Sequence, residues 1–336
     1  MNPNGEKKCD YKYNYVFFSV SEDYHEPMFY GLNDLENVEL RKSALPNKKR
    51  FAKKLLKLHY SNKLNKIIKL PFKKAWLPKM CKTNFKNGKP TCYVFYGSKF
   101  IEPDSGIVKY IRKHYPDSKI VVMFCDLIRN NVSKRIDIIR DQIDLFSSYD
   151  IQDAKKNGIE YLEETMYGRQ LEVTKPVEFD SDLFFLGYSK GRLELLLKLC
   201  QYLQERGVKC DFRIVAVPKE QQVQMDGVTY LDKPMKYLDY IRDAQKTRCL
   251  LEMPQVNSVD ITMRTVEAIA YKRKLLTNAT HIVNSEYYVP AQMKTFEALE
   301  DIDVEFLKTP NDYTAFENDF DFSPEKRLEF IEKHIS

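Results

Sequence analysis

The sequence predicts an α/β protein of two parallel-sheet domains, and three observations carry that prediction. Short apolar runs alternate with helix-like segments from about residue 15 to 162, the pattern of strand–helix–strand units. A second series of the same kind opens near residue 179. The length, 336 residues, fits two domains of ordinary size.

In order along the chain, YVFFSV at 15–20 reads as a buried strand, and SEDYHEP at 21–27 as a loop at its carboxyl end. A helix is expected from 47 to about 70, with Phe51, Leu55, Leu56, Leu64, Ile67 and Ile68 as apolar points among lysines. CYVFYG at 92–97 and KIVVMFCD at 119–126 read as strands. Between them, 105–116 has a serine start and a proline stop for a helix. Residues 134–146 read as a helix, and a short strand end near 146–150 precedes a helix closed by Gly158. A linker is expected over 168–180. Beyond it come a strand, the turn LGYSKGR at 186–192, and a helix with Leu193, Leu196, Leu197, Cys200 and Leu203 at helical spacing. Gly207 supplies its C-cap. A strand at 212–217 and a helix at 234–244 follow. Then come the apolar strand CLLEM at 249–253, a polar loop at 254–260, a helix capped by Asp260 or Thr262, and a strand at 274–278. The tail from Ser323 opens with Ser-Pro-Glu, a helix start. The expected domains are 1–175 and 176–322, with 323–336 as a helix that could cross back to the first.

Hydrophobic residues at 43% and aromatics at 13% allow two full cores. No run of 18 apolar residues occurs, so no transmembrane helix is expected, and MNPNGEKKCDYKYN lacks the apolar region of a secretory signal. The seven cysteines are scattered without CxxC and read as reduced core thiols of a cytoplasmic protein. The net charge of +6 hides an asymmetry: residues 41–101 hold 18 Lys/Arg and no Asp or Glu, leaving 36 basic and 48 acidic residues elsewhere. Such a block suits an anionic membrane surface, nucleic acid, or a plainly solvated face.

The segment 250–278 is the most informative for function. Ligands of open α/β sheets bind beyond the carboxyl ends of strands, at helix N-termini. Thr262, Arg264 and Glu267, in the first turns of such a helix, are therefore placed for a phosphorylated ligand. Arginine can pair with a diphosphate in a bidentate way, and glutamate can accept from a ribose diol. Arg264 and Glu267, at i,i+3, could equally pair with each other. In the turn at 186–192, Gly187 and Gly191 would admit a phosphate to the backbone, and Ser189, Lys190 and Arg192 could hold it. Asp180-Ser181-Asp182 spells DxD but precedes a strand at its amino end and reads as linker. No His or His-Asp spacing points to a metal, so no metal site is expected.

The motif at 250–278 resembles the donor-binding segment of glycosyltransferases with two Rossmann-like domains, the GT-B type, as found in bacterial capsule and lipopolysaccharide synthesis. Gln255, Thr262, Arg264, Glu267, Ala268, Lys274, Thr277 and Asn278 match it. The loop QVNSVDIT departs from the family pattern, being longer and without glycine. GYSKGRL matches a second family pattern, Gly-x-x-x-x-Arg-Leu, at Gly187, Arg192 and Leu193. The segment 149–162 resembles a third at Asp150, Asp153, Lys155, Lys156 and Gly158. The resemblance implies two Rossmann-like domains facing a cleft. It implies a nucleotide-diphosphate sugar donor on Gly187, Lys190, Arg192, Gln255, Thr262, Arg264 and Glu267, and no further cofactor. It also implies a general base from the first domain, with Asp23, His25 and Asp126 as candidates and Glu22, Glu26, Asp150 and Asp153 behind them. The acceptor would be a saccharide or a lipid-linked sugar. Because such acceptors lie at the inner face of the cytoplasmic membrane, the basic block is read first as a membrane contact through Lys53, Lys54, Lys73, Lys74 and Trp76, ahead of nucleic acid. The rival reading is a non-catalytic, nucleic-acid-binding or regulatory α/β protein using the same lysines.

Overall fold

A computed structural model of the chain describes residues 11–18, 20, 23–42, 45, 50–59, 61, 64, 68, 73–97, 106–162, 166–176, 178–254, 261–314 and 320–336. It divides into two compact units, 1–168 with 323–336, and 169–322.

The first unit is built on a six-stranded parallel sheet among the described residues. Its strands are β1 (Asn14–Phe18), β2 (Val38–Arg41), β3 (Thr91–Tyr96), β4 (Lys119–Phe124), β5 (Leu145–Ser148) and β6 (Glu160–Tyr161), in the order β2-β1-β3-β4-β5-β6. A parallel sheet covered on both faces needs strands that are apolar on both sides. β1 meets that demand with every residue buried, and β3 and β4 with every residue after the first. Phe18 and Phe95, register partners on β1 and β3, stack with ring centroids 5.0 Å apart. The helices described over 1–168 include α1 (His25–Met28), α2 (Arg50–His59), α3 (Leu77–Cys81), α4 (Ile107–His114), α5 (Asn130–Ile139) and α6 (Ile151–Asn157). Leu56 of α2 and Leu77, Met80 and Cys81 of α3 join the core on this sheet, so the basic block folds as part of the unit.

The second unit carries β7 (Ser181–Tyr188), β8 (Cys210–Val215), β9 (Val228–Leu231), β10 (Thr247–Glu252), β11 (Lys274–Thr277) and β12 (Met293–Thr295) in the order β12-β11-β10-β7-β8-β9, again all parallel. Counted within the unit this is the 3-2-1-4-5-6 order of a Rossmann sheet, and the order reverses between β7 and β10. Its helices are α7 (Leu193–Gln204), α8 (Tyr237–Ala244), α9 (Met263–Ala270) and α10 (Val304–Lys308). Leu196, Leu199, Cys200 and Leu203 of α7 pack with Phe185, Phe212 and Leu251 from the strands. The final helix, α11 (Glu325–Ile335), packs on the first unit. The Tyr15 hydroxyl donates to Glu332 Oε1 at 2.9 Å, and Leu328 and Ile331 are fully buried.

Several local expectations are corrected. Of the helix expected over 47–70, Arg50–His59 forms α2; Leu64 is helical again and accepts the Ile68 N–H at 2.9 Å, and most of the rest of that span lies outside the described residues. The helix expected over 134–146 stops at Ile139, and Leu145 and Phe146 belong to β5. There Asp144 breaks the helix by accepting the backbone N–H of Ile120 at 2.7 Å and pairing with Arg112. The helical turn α1 begins inside the expected loop 21–27, at His25, and runs to Met28, and the helix expected from 234 starts at Tyr237. The unit boundary falls at Gly168, ahead of residue 175: Thr174 N–H already bonds to Gln245 of the second unit at 2.7 Å. Four strands, β2, β6, β9 and β12, have no counterpart among the expected ones, and all four are sheet edges.

Candidate phosphate site at the sheet switch point

The second unit gathers its candidate residues at the carboxyl ends of β7 and β10, where the strand order reverses. β7 runs into a turn in which Lys190 (φ 45°) and Gly191 (φ 83°) both hold positive φ. Gly191 is exposed with nothing near a Cβ position, so its backbone is open to a ligand. Gly187 is different. A Cβ there would lie 3.2 Å from the Phe185 ring, so packing on that ring occupies the space expected to admit a phosphate. Lys190 is exposed, while Arg192 curls over its own turn, with Nε donating to Ser189 O and Nη2 to Tyr188 O, both at 3.1 Å.

β10 ends at Glu252, and the chain re-enters α9 at Thr262. Gln255 and the alternative cap Asp260 lie outside the described residues. Thr262 is the N-cap, its hydroxyl accepting the Arg264 N–H at 3.0 Å. The Arg264 guanidinium donates to Leu251 O at 3.2 Å and Leu186 O at 3.0 Å, bridging the ends of β10 and β7. It lies over the Tyr240 ring at 5.1 Å and pairs with Glu267 at 3.4 Å. Burial acts to lower its proton affinity, but Tyr240, Glu267, Glu252 and Tyr237 outweigh that and the net shift is upward. Arg264 stays a cation.

Glu267 does not present itself to a ribose diol. Its side chain is 4% exposed, Oε1 accepts from the Tyr237 hydroxyl at 2.6 Å, and Oε2 accepts from Tyr240. The i,i+3 pair with Arg264 is realised, and the carboxylate braces the arginine from behind. Burial raises the Glu267 pKa, while Arg264 and the two tyrosines pull it back. Arg192 is pulled down by burial and by the nearby Arg264. Both guanidinium groups bond to carbonyls at the end of β7, Arg264 to Leu186 O and Arg192 to Tyr188 O.

Sequence reasoning missed Glu252, Tyr237 and Tyr240. Nothing in their local pattern marks them, because the partners of Tyr237 and Tyr240 come from α9, some thirty residues away, and those of Glu252 from α9 and β11.

In the first unit the base candidates separate. Asp23 and Asp126 are exposed. His25 is 3% exposed, set edge-on to Tyr96 at 5.3 Å and to Phe29 at 6.1 Å. It lies where that sheet's strand order turns, between the carboxyl ends of β1 and β3. Asp150 is a buried N-cap whose Oδ1 accepts the Asp153 N–H at 2.8 Å, and Asp153 accepts from Ile128 N–H at 2.6 Å. Burial raises the Tyr149 pKa, and the charges of Asp150, Asp126 and Asp153 raise it further. Glu22 lies outside the described residues, and Glu26 pairs with Lys42 at 2.9 Å.

Within the basic block, Lys54 and Lys74 are exposed, Lys73 is partly covered, and the Lys53 side chain is outside the described set. Phe51 is 77% exposed. Trp76 is not a free surface indole: it packs against the sheet core, and its Nε1 donates to His59 Nδ1 at 2.8 Å. Arg41, the first cation of the block, is buried and spent on Glu39 and on the carbonyls of Met80 and Lys82. Among the described residues, no three or more His, Cys, Asp or Glu side chains come together as metal ligands, and no helix is long and apolar enough to cross a membrane.

No protein-family model matches this chain. No curated protein matches its sequence. Solved structures do resemble it. An α-glucosyltransferase in complex with UDP and a 13-mer DNA containing a central A:G mismatch aligns over 95% of this chain and 95% of its own, at 10% identity and a TM-score of 0.52. Weaker likenesses are an α-glucosyltransferase complex with UDP and DNA containing an HMU base (8% identity, 95% and 89% coverage, TM-score 0.45) and a UDP-forming α,α-trehalose-phosphate synthase from Burkholderia xenovorans (9% identity, 96% and 94% coverage, TM-score 0.43). At these identities the likeness is one of fold. The chain has the α/β fold with two Rossmann-like parallel sheets that GT-B glycosyltransferases share.

Proposed function

We propose that this chain is a glycosyltransferase that takes a nucleotide-diphosphate sugar on its second unit. The observation that carries the reading is Arg264. It is a braced, permanently charged guanidinium at the point where a 3-2-1-4-5-6 sheet reverses, beside a second arginine and an open glycine turn. Arg264, Arg192 and Lys190 would offset the charge that develops on the departing nucleoside diphosphate, which is where fixed cations lower the barrier. That arrangement supplies the role without calling on a metal. The UDP held by the similar α-glucosyltransferase supports this choice of donor class. The acceptor hydroxyl would lose its proton to a base of the first unit, Asp23, His25 or Asp126, of which the two carboxylates are exposed. The acceptor would be a saccharide or lipid-linked sugar of surface polysaccharide synthesis, met at an anionic membrane face through the lysines of α2 and residues 73–79.

Calorimetric titration with UDP, GDP and CMP, and with their sugar derivatives, tests the donor reading. Saturable binding of one nucleotide that competes with its sugar conjugate is expected. No binding of any of them would overturn the reading.

A second reading is favoured by two observations: the similar α-glucosyltransferase is bound to DNA, and the block at 41–101 is free of acidic residues. Here the same basic surface would hold a nucleic acid acceptor. Vesicles of anionic lipid and duplex DNA, offered separately at low salt, distinguish the two.

A further inference from the structure

Glu252 closes β10 and is 4% exposed. Hydroxyls from three separate positions hold its carboxylate. Oε1 accepts from Thr262 at 2.5 Å and from Thr265 at 2.8 Å, and Oε2 accepts from Thr277 at 2.7 Å. Thr262 and Thr265 flank the start of α9, and Thr277 closes β11. Thr262 uses one oxygen twice, donating its proton to Glu252 and accepting the Arg264 N–H as the helix cap. Glu252 therefore fixes which way the capping hydroxyl points, and one buried carboxylate ties the first turn of α9 to the ends of β10 and β11.

Arg264 sits in that tied turn. Its guanidinium reaches the carbonyl of Leu251, the residue before Glu252, and that of Leu186 at the end of β7. We propose that Glu252 is a positioning residue for the anion site, holding the α9 start so that Arg264 and the helix N-terminus face the diphosphate of the donor. This rests on the donor reading above.

The sign of the effect separates positioning from simple electrostatics. Glu252 is a negative charge near Arg264. If it acted only through its charge, removing that charge would leave the site more positive, and an anion would bind more tightly. If it positions the turn, removing it loosens the cap, and the anion binds more weakly despite the gain in positive potential.

The test uses the full chain, with UDP and inorganic pyrophosphate as probes in calorimetry and thermal denaturation as the check on folding. Glu252→Gln keeps the shape and an acceptor for Thr262 and Thr265. Its UDP Kd is expected to rise at least fivefold. In an Arg264→Ala background the same change is expected to cost less than twofold, because contacting residues acting as a unit are non-additive. Equal or tighter UDP binding by folded Glu252→Gln would overturn the proposal, as would a loss of the same size in the background lacking Arg264. Should Glu252→Gln fail to fold, Thr265→Val and Thr277→Val, which keep the charge and remove one hydroxyl each, carry the same comparison with the same thresholds. Wild-type protein that binds neither UDP nor pyrophosphate would end both the donor reading and this proposal. Wild-type protein that binds, with variants that match it, would end only the proposal.

Discussion

At the scale of single residues, Arg264 concentrates the argument. Its guanidinium already donates to two strand-end carbonyls and leans on Glu267, so its direction is set before any ligand arrives. A charge-assisted contact to a diphosphate contributes roughly 1.5–3 kcal/mol. Arg264→Ala is therefore expected to weaken UDP binding by more than tenfold while the fold persists, as read by calorimetry beside circular dichroism. Normal UDP affinity in the folded variant would remove Arg264 from the site. The base candidates allow a second experiment. Asp23→Asn, His25→Ala and Asp126→Asn are each measured for nucleotide affinity and for transfer to acceptor. Loss of the true base is expected to cut turnover by about 10²–10⁴-fold with donor affinity nearly unchanged, because the base acts on the transition state. Near-normal turnover in all three would move the search to Asp150 and Asp153. At this scale the residue types were legible and their roles were not. Thr262, Arg264 and Glu267 stand out in the chain because a polar triplet opens an otherwise apolar helix. That Glu267 turns inward depends on Tyr237 and Tyr240, which no local pattern links to it.

At the scale of elements, two features make stability predictions. Lys274 opens β11 and is buried, its Nζ donating to the carbonyls of Phe306 and, at 2.7 Å, Thr309 at the end of α10. Burial pulls its pKa down to about 8 from 10.5. Between those values the unfolded chain holds the proton that the folded chain has released, so this group adds stability as pH rises from about 8 toward 10.5. Thermal melts of wild type and Lys274→Met across that window should show wild type gaining on the variant as pH increases. Parallel curves would deny Lys274 the role. Gly168 makes a steric prediction. A Cβ there would stand 2.3 Å from Tyr30 O, and its N–H bonds to Pro27 O at 3.0 Å, so neither side can yield easily. Gly168→Ala is expected to cost on the order of 1–3 kcal/mol of stability, as overpacking does, measured by urea denaturation. The elements also divide by legibility for a physical reason. Central strands such as β1, β3, β4 and β10 are covered on both faces and write continuous apolar runs. Edge strands β2, β6, β9 and β12 are short and partly exposed, so they leave almost no signal. The end of α5 was lost differently: I-D-L-F alternates in a way that suits a helix or a strand, and the bond from Ile120 to Asp144 decides between them.

At the scale of the whole molecule, the charge distribution makes the last prediction. Residues 41–101 carry 18 Lys/Arg without an acid, and Lys54, Lys74 and Phe51 stand exposed within them. Each lysine near an anionic surface contributes up to about 1 kcal/mol, screened within roughly 10 Å at moderate salt. The protein is expected to co-sediment with anionic vesicles at low salt and to release steeply as salt rises. Equal recovery with neutral vesicles, or none with either, would set the membrane reading aside. What the sequence determined alone is the class of fold and the address of the site: strand–helix alternation repeats twice, and a threonine–arginine–glutamate helix start follows an apolar strand. Those signals are local, written by hydrophobic periodicity and capping chemistry over fewer than thirty residues. Tertiary structure decided the sheet order that puts β7 beside β10, the closing of Glu267 by two tyrosines, the convergence of Arg192 with Arg264, and the three-threonine hold on Glu252. Each of these brings together residues far apart in the chain, by backbone pairing for the strands and by side-chain hydrogen bonds for the two glutamates, in a geometry that exists only once the sheet has formed and that no short-range pattern can encode.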